Sequence, residues 1–185
     1  KMSADGCKTS SKGSSVKTKQ ILEKMTLEAK ETLSENDITV TIEPHKDFYT
    51  ETMTVGVKKD IDRTYTYDVI PKELEGGLLY QTTHRMKSGT DIEIKTHKAM
   101  TLYFIFHEDY DGNYTDIFKN LDEWEICDTA PQYDVDTRNP HMAGHGDNQK
   151  MYKLKAKKNT RYSIPKSDDS KNGATWCTWN IVMVK

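Results

Sequence analysis

The sequence lacks the motifs that commonly identify an enzyme. It contains no Gly-x-Ser-x-Gly nucleophile motif, no Walker phosphate-binding loop and no glycine pattern of a dinucleotide-binding turn. It also lacks any run approaching the roughly 18 apolar residues that a membrane-spanning helix needs. We therefore predict a protein that is not an enzyme and does not span a membrane.

An excess of charge of one sign is also missing, because 27 basic residues face 29 acidic ones and the net charge is −2. A nucleic-acid-binding protein needs a basic field to attract the phosphate backbone. The charge balance therefore argues against a nucleic-acid partner. The 35% of hydrophobic residues in a chain of 185 is enough for one domain with a core.

Cysteine is scarce, and the odd count of three excludes complete pairing within one chain. Cys127 and Cys177 lie beside tryptophans in strand-like runs, so we predict a disulfide between them. Such a bridge would close a loop of about 50 residues and contribute roughly 4 kcal/mol. The alternative is a pair of buried free thiols. Cys7 lies in a polar segment, where it is free, pairs with another chain or pairs with a cysteine lost by truncation.

A secreted or cell-surface setting is the location that the predicted disulfide favours, since disulfides persist in oxidising compartments. The triplet Asn113-Tyr114-Thr115 fits the acceptor pattern for N-glycosylation and follows a turn-like Asp111-Gly112 pair. We therefore predict a glycoprotein modified at Asn113.

The chain is predicted to contain three parts. Residues 1–16 are rich in Ser, Lys and Gly and are expected to form a disordered tail. Residues 17–36 are predicted to form an amphipathic helix, because Leu22, Met25, Ala29 and Leu33 recur at helical spacing. Residues 37–185 are predicted to form a β-sandwich domain.

The strand prediction depends on apolar residues that alternate with polar ones. Ile38, Val40 and Ile42 alternate in this way, as do several later runs separated by turn residues. Residues 100–106 (MTLYFIF) are almost continuously apolar, which predicts a central strand covered on both faces. About ten short strands predict a mainly β fold, an antiparallel sandwich or jelly roll with one N-terminal helix.

Several of these strand and turn segments occur in an order that resembles a known family. They are residues 62–67 (DRTYTY), 69–71 (VIP), 74–76 (LEG), 80–82 (YQT) and 102–105 (LYFI), with Trp124, Tyr152-Lys153 and residues 181–184 (IVMV) after them. This succession is similar to β-sandwich accessory domains of secreted carbohydrate-active proteins, over about residues 60–185. The resemblance implies a non-catalytic role and carries over no ligand-binding residue.

Ligand binding is predicted to occur at loops at one end of the sandwich, chiefly residues 107–116 and 128–149, because long loops on a rigid scaffold commonly carry function. The leading hypothesis is a non-catalytic binding or adhesion module whose partner is a protein or glycan at a cell surface. The candidate contact residues are Tyr110, Tyr114, Tyr133, His141 and His145.

A calcium site is an alternative reading of the acidic run from residue 108 to residue 116. Asp109, Asp111 and Asp116 offer the carboxylate oxygens that calcium prefers, although the EF-hand pattern fails because its glycine position holds Tyr114. We favour a solvated acidic turn, so the expected cofactor is none, with Ca²⁺ as the alternative.

Three further functions stay open. A carbohydrate-binding module would use exposed aromatic rings, with Tyr65, Tyr67, Tyr80 and Trp179 as candidates, although core packing is the favoured role of each. A structural subunit would self-associate through the N-terminal helix and Cys7. A metal-dependent hydrolase would use His141, His145 and Asp147, but Pro140, Gly144 and Gly146 prevent the helix on which such a spacing would converge.

Overall fold

The computed structural model describes residues 33–43, 49–84, 86–87, 91–107, 113–134, 148–167 and 176–185. These residues belong to one compact unit, Leu33–Lys185. The predicted tail of residues 1–16 and most of the predicted helix of residues 17–36 lie outside the described residues. At the end of that predicted helix, Ser34 is extended and Glu35–Asp37 form a 3-10 turn.

The described residues form thirteen strands, one short α-helix and two 3-10 turns. The strands are β1 (Ile38–Glu43), β2 (Tyr49–Thr52), β3 (Thr66–Val69), β4 (Leu78–Gln81), β5 (Met86–Lys87), β6 (Asp91–Thr96), β7 (Met100–His107), β8 (Glu125–Ile126), β9 (Gln132–Asp134), β10 (Gln149–Ala156), β11 (Thr160–Ile164), β12 (Trp176–Cys177) and β13 (Trp179–Val184). The helix α1 is Tyr114–Lys119, and the second 3-10 turn is Lys72–Leu74.

Two antiparallel sheets form the layers of a sandwich. One has three strands in the order β1-β6-β11, and the other has six strands in the order β2-β4-β13-β7-β10-β8. The pairs β3-β9 and β5-β12 form two further ribbons. The prediction of a mainly β, antiparallel sandwich is therefore confirmed. Among the described residues, the only helix of α type has six residues, and none is long and apolar enough to cross a membrane.

The predicted central strand is β7, which lies between β13 and β10. Phe104 and Phe106 face the three-stranded sheet, whereas Tyr103 and Ile105 face the opposite side, and all four side chains are buried. The run is apolar on both faces because each face is covered, as the sequence predicted.

The core between the two sheets, here called the inner cluster, is rich in aromatic rings. Phe106 stacks on Phe118 at a ring-centroid distance of 5.9 Å, and Phe118 stacks on Tyr152 at 4.7 Å. Helix α1 supplies Phe118 and therefore closes one side of the sandwich. The three-stranded sheet contributes Ile38, Ile42, Ile92, Ile94 and Ile164.

A second core, here called the outer cluster, covers the other face of the six-stranded sheet. It contains Met53, Tyr67, Leu74, Leu79, Tyr103, Ile105, Tyr133, Met151 and Val182. The β3-β9 ribbon covers this face, since it contributes Tyr67 and Tyr133. Gly77 packs so closely that an added Cβ would lie 2.9 Å from Val182 Cγ1 and from Val184 Cγ2. A side chain at this position would therefore force the turn away from β13.

The predicted disulfide between Cys127 and Cys177 is not formed in the structure, where Cys127 has a free thiol. Cys127 directly follows β8, whereas Cys177 leads into β13, and β10 and β7 lie between those two strands. Three inter-strand spacings amount to roughly 14 Å, twice the Cα separation that a disulfide tolerates. The order of the strands in the sheet therefore keeps the two cysteines apart, although each lies near a tryptophan in the sequence.

Candidate functional site

The outer face of the six-stranded sheet changes from apolar to polar towards one edge. Along β13 the side chains on this face run from Val182 to Asn180, and Thr178 follows just before the strand, while along β7 they run from Ile105 to His107. The same change takes Leu79 to Gln81 in β4 and Met151 to Gln149 in β10. The buried polar set, here called the polar end, is Gln81, His107, Gln149, Thr178 and Asn180.

The strand register brings these side chains to one edge of the sheet. His107 is the Cα partner of Gln149, and its backbone N–H donates to the carbonyl of Thr178 at 3.3 Å. Asn180 pairs with Ile105, one step further into the sheet. The polar end is therefore one continuous patch built from four adjacent strands.

A buried ion pair covers this patch. The Lys59 ammonium lies 3.1 Å from Asp60 Oδ1 and donates to Thr178 Oγ1 at 2.8 Å. The two charged side chains are only 1% and 0% exposed. Lys59 Nζ also lies 5.2 Å from the ring centroid of Tyr133, within cation–π range. Burying two charges is costly, and these contacts offset that cost.

Asp60, the acidic member of the ion pair, also contacts His84. Asp60 Oδ2 lies 3.2 Å from His84 Nδ1, and the His84 backbone N–H donates to Asp62 Oδ1 at 2.7 Å. Burial acts to raise the pKa of Asp60, but Lys59 and His84 outweigh that effect and hold the pKa below its usual value. Asp60 is therefore a carboxylate at neutral pH, held by a partner on each oxygen.

Neutral hydrogen bonds connect the ion pair to β13 and to the β3-β9 ribbon. The Tyr67 hydroxyl donates to Asn180 Oδ1 at 2.8 Å, and Asn180 Nδ2 donates to the Lys59 carbonyl at 3.0 Å. Burial, followed by the charge of Asp60, raises the pKa of Tyr67 well above its usual value. Tyr67 therefore keeps its proton and remains the donor of this hydrogen bond.

A group of aromatic rings leads from the buried network to the surface. The half-buried ring of Tyr65 meets His84 edge-on at 5.2 Å and lies 5.8 Å from Tyr133. Beside it, the exposed side chains of Asp62 and Arg63 lie 3.9 Å apart. We call Asp62, Arg63 and Tyr65 the rim, because each is an accessible described residue beside this network.

A shallow depression of about 450 Å³ lies beside β9, away from the rim. Gln132 lines this depression, whereas the next residue, Tyr133, contacts Lys59. Gln149 contributes to the depression and to the polar end, and its Nε2 donates to the Pro131 carbonyl. The remaining lining residues are Val69, Ile70, Pro71, Asp128, Thr129 and Ala130.

The predicted ligand-contacting residues fall in different environments. Tyr114 is completely buried in the inner cluster, where its ring lies 5.3 Å from Phe104, so it belongs to the core and not to an accessible loop. Tyr133 is also buried, as part of the network around Lys59. Tyr110, His141 and His145 lie outside the described residues.

The aromatic residues considered for sugar stacking also divide into two groups. Tyr67 and Trp179 are completely buried, which agrees with the core role favoured for them. Tyr65 and Tyr80 are half-buried and keep part of each ring accessible.

The predicted metal and glycosylation residues are only partly covered by the structure. Asp116 is exposed on α1 and lies 3.5 Å from Lys119 Nζ, while Asp109, Asp111 and Asp147 lie outside the described residues. Among the residues that the structure describes, no group of three or more His, Cys, Asp or Glu side chains is arranged to hold a metal. Asn113 is half-buried and directly precedes α1, and its glycosylation stays a prediction.

Sequence reasoning missed Lys59, Asp60 and His84, because Lys58-Lys59-Asp60 had the composition of a solvated turn. A signal was nevertheless present in the strands. His107 and Asn180 occupy positions that alternation assigns to a covered face, at the end of one apolar run and inside another. A buried polar residue needs a partner, so these positions predict a polar cover.

Comparison with known proteins finds no family model that matches the chain and no match among curated proteins. The chain is similar in structure to a beta-glucuronidase from glycoside hydrolase family 2, with a TM-score of 0.56 and 14% sequence identity. The match covers 79% of this chain and 14% of that chain. The protein is therefore a β-sandwich whose fold is similar to that of one part of this beta-glucuronidase.

Proposed function

We propose that this chain is a non-catalytic binding module that contacts its ligand at the polar end of the sandwich. The observation that carries the proposal is the buried network of Lys59, Asp60 and His84, which holds the rim in place. A buried polar network whose members are all hydrogen-bonded rigidifies the segments that it joins. Here the attached segments are those of residues 59–65 and 82–84, which carry the accessible groups.

The burial of Asp60 and its two partners support the proposal that the module is non-catalytic. A general acid or base must reach the proton that it transfers. Asp60 is fully buried and holds Lys59 with one oxygen and His84 with the other, so a substrate cannot reach it. The geometry therefore assigns Asp60 the role of positioning its neighbours.

The second candidate is carbohydrate recognition, in a secreted or cell-surface setting. Tyr65 presents part of an aromatic ring on which the C–H face of a sugar can stack. Asp62 and Arg63 flank it with an acceptor and a donor suited to sugar hydroxyls. The fold likeness to one part of a beta-glucuronidase agrees with this candidate. Self-association through Cys7 and the predicted helix involves residues outside those described and stays a prediction.

The test is binding of the full chain to a glycan array and to intact cells, with a double variant of the rim. The double variant Arg63→Ala/Tyr65→Ala removes the accessible ring and its flanking donor, so we expect binding about tenfold weaker or more. The matched control is Arg161→Ala/Tyr162→Ala, which removes another arginine in an ion pair and another half-buried tyrosine, both on β11.

Binding to cells without binding to glycans, when sensitive to the rim variant, would favour a protein ligand over a sugar. Equal loss of binding in the rim variant and in the control would place the contact surface elsewhere and contradict the proposal.

A further inference from the structure

One edge of the three-stranded sheet lacks the features that usually prevent pairing with another strand. Strand β1 bonds to β6 on one side, and among the described residues no strand lies on its other side. Natural proteins protect exposed sheet edges with short strands, charged side chains or proline. From Ile38 to Ile42, β1 has five β-branched residues and neither a charge nor a proline. Such a strand pairs readily, because β-branched side chains favour extended backbone.

The other edges of the two sandwich sheets do carry protective features. In the same sheet, β11 carries the exposed, ion-paired Arg161 and is followed directly by Pro165, which has no N–H group to donate. In the six-stranded sheet, edge strand β8 has only two residues, and edge strand β2 has four, including the exposed Glu51. Of these four edges, β1 is therefore the one best suited to accept another strand.

The hydrogen bonds of β1 show which of its backbone groups are available at this edge. The His97 N–H donates to the Asp37 carbonyl at 2.8 Å, and the register of β1 with β6 continues from this pair. In an antiparallel ladder, alternate residues bond to the same neighbouring strand. The N–H and C=O groups of Ile38, Val40 and Ile42 therefore point away from β6.

A groove of about 420 Å³ lies along the same edge. Residues of both edge strands line it, with Thr39 and Val40 from β1 and Tyr49 and Thr50 from β2. Tyr49 is 61% exposed, so it is accessible to a molecule that approaches this edge. Within the described part of the chain, the edge of β1 is therefore open.

We propose that β1 pairs in the antiparallel direction with β1 of a second copy of this chain. A two-fold axis at Val40 places Val40 opposite its own counterpart and Ile38 opposite Ile42. The outward backbone groups of both copies then face each other and form about six hydrogen bonds. Thr39 comes to lie opposite Thr41, and both are exposed, so threonine pairs add to the contact. The strand is thus complementary to itself in shape, in charge and in hydrogen bonding.

The symmetry of this pairing limits the assembly to two copies. A contact that uses the same surface on both partners leaves none of that surface free for a third. The edges that remain are those of β11, which Arg161 and Pro165 protect. The expected product is a dimer with a continuous six-stranded sheet in the order β11-β6-β1-β1-β6-β11. This dimer goes beyond the proposed function, and β1 shares no residue with the rim.

The experiment measures the mass of the full chain and the exchange of its amides as the concentration rises. One strand pair is a small interface, so sedimentation equilibrium from about 50 µM to 1 mM, with reductant present, should show monomer converting to dimer. Hydrogen exchange followed by NMR should become about tenfold slower at the amides of Ile38, Val40 and Ile42. The amides of Arg161 and Ser163, which the register places at the free edge of β11, should not change.

Two variants of β1 have a matched control on β11. Val40→Pro removes the N–H on the two-fold axis but no bond to β6, and it should weaken dimerisation about tenfold or more. Thr41→Lys adds a charge of the kind that protects natural edges and should have a similar effect. Ser163→Lys is its control, because Thr41 and Ser163 are both exposed hydroxyl residues and both are partners of Glu93 in β6. The control should dimerise like the unmodified chain.

Several results would overturn this inference. One is a chain that stays monomeric at the highest concentration, or that associates only without reductant. Another is slow exchange of the outward β1 amides at the lowest concentration, because another part of the same chain would then cover the edge. Equal effects of Thr41→Lys and Ser163→Lys would also contradict it. The rim variant Arg63→Ala/Tyr65→Ala should dimerise normally, so failure of the dimer and failure of the proposed function are distinguishable.

Discussion

The two ends of one sheet face stabilise the protein in different ways. At the apolar end, Leu79, Tyr103 and Val182 pack with Leu74 and Met53, and contacts of this kind have little directional requirement. At the polar end, over the opposite ends of the same strands, Lys59 and Asp60 depend on each other and on named hydrogen-bond partners.

The difference shows that burial alone does not predict the response to substitution. Removing apolar atoms loses contacts in proportion to their volume. Removing one member of a buried ion pair leaves an uncompensated charge, so the cost is set by the partner that remains. The polar end should therefore be the more fragile of the two.

The largest expected effect is that of Asp60→Ala. Of the partners that the described residues supply, it leaves the buried Lys59 ammonium with Thr178 and the Tyr133 ring, so we expect a loss of about 3–5 kcal/mol in the free energy of unfolding. Urea denaturation followed by tryptophan fluorescence measures it. The double variant Lys59→Met/Asp60→Leu removes both charges and should recover most of the loss. A single variant as stable as the double one would show that the ion pair is not an interdependent unit.

Leu79→Ala at the apolar end is the comparison. Leu79 is completely buried, so its truncation should cost about 3 kcal/mol through lost contacts and the cavity that remains. The same denaturation experiment measures this loss, and Leu79→Met serves as the volume-conserving control. A larger loss at Leu79 than at Asp60 would reverse the proposed order of the two ends.

Acid should weaken the polar end in particular. The pKa of Asp60 is held below its usual value, so its contribution to stability is complete above about pH 4 and is lost as the pH falls through the folded-state pKa. Asp60→Asn has no carboxylate to titrate at this position, so its stability should fall less steeply below about pH 4 than that of the unmodified protein. Denaturation midpoints measured across this range give the comparison, and parallel curves for the two proteins would contradict the prediction.

Local pattern predicted the central strand and the mainly β fold, but not every strand and not the contacts between strands. Residues 132–134, inside a predicted long loop, form strand β9. The continuous run of residues 100–106 predicted a strand covered on both faces, and β7 is that strand. The pairing of Cys127 with Cys177 was predicted from similar sequence surroundings, and it is wrong because two strands lie between those that carry them. Side-chain context is local, whereas the distance between two cysteines depends on strand order.

The candidate site was predictable only in part. The sequence assigned function to one end of the sandwich, and the polar network and the depression both lie where β7 ends and β10 begins. It assigned Tyr114 to a ligand, but helix α1 turns that ring into the core. A tyrosine suits either role, so its surroundings decide which one it takes.

The sequence by itself determined the mainly β fold, the antiparallel strands and the central place of β7, because alternation with a period of two follows from the geometry of a single strand. Only the tertiary structure decided that Lys59 and Asp60 are buried, that Gln149 lies beside Val69, and that the two cysteines are far apart. Those facts depend on which strands become neighbours. Strand pairing depends on contacts between residues that are distant in the chain, so a local sequence pattern does not predict it.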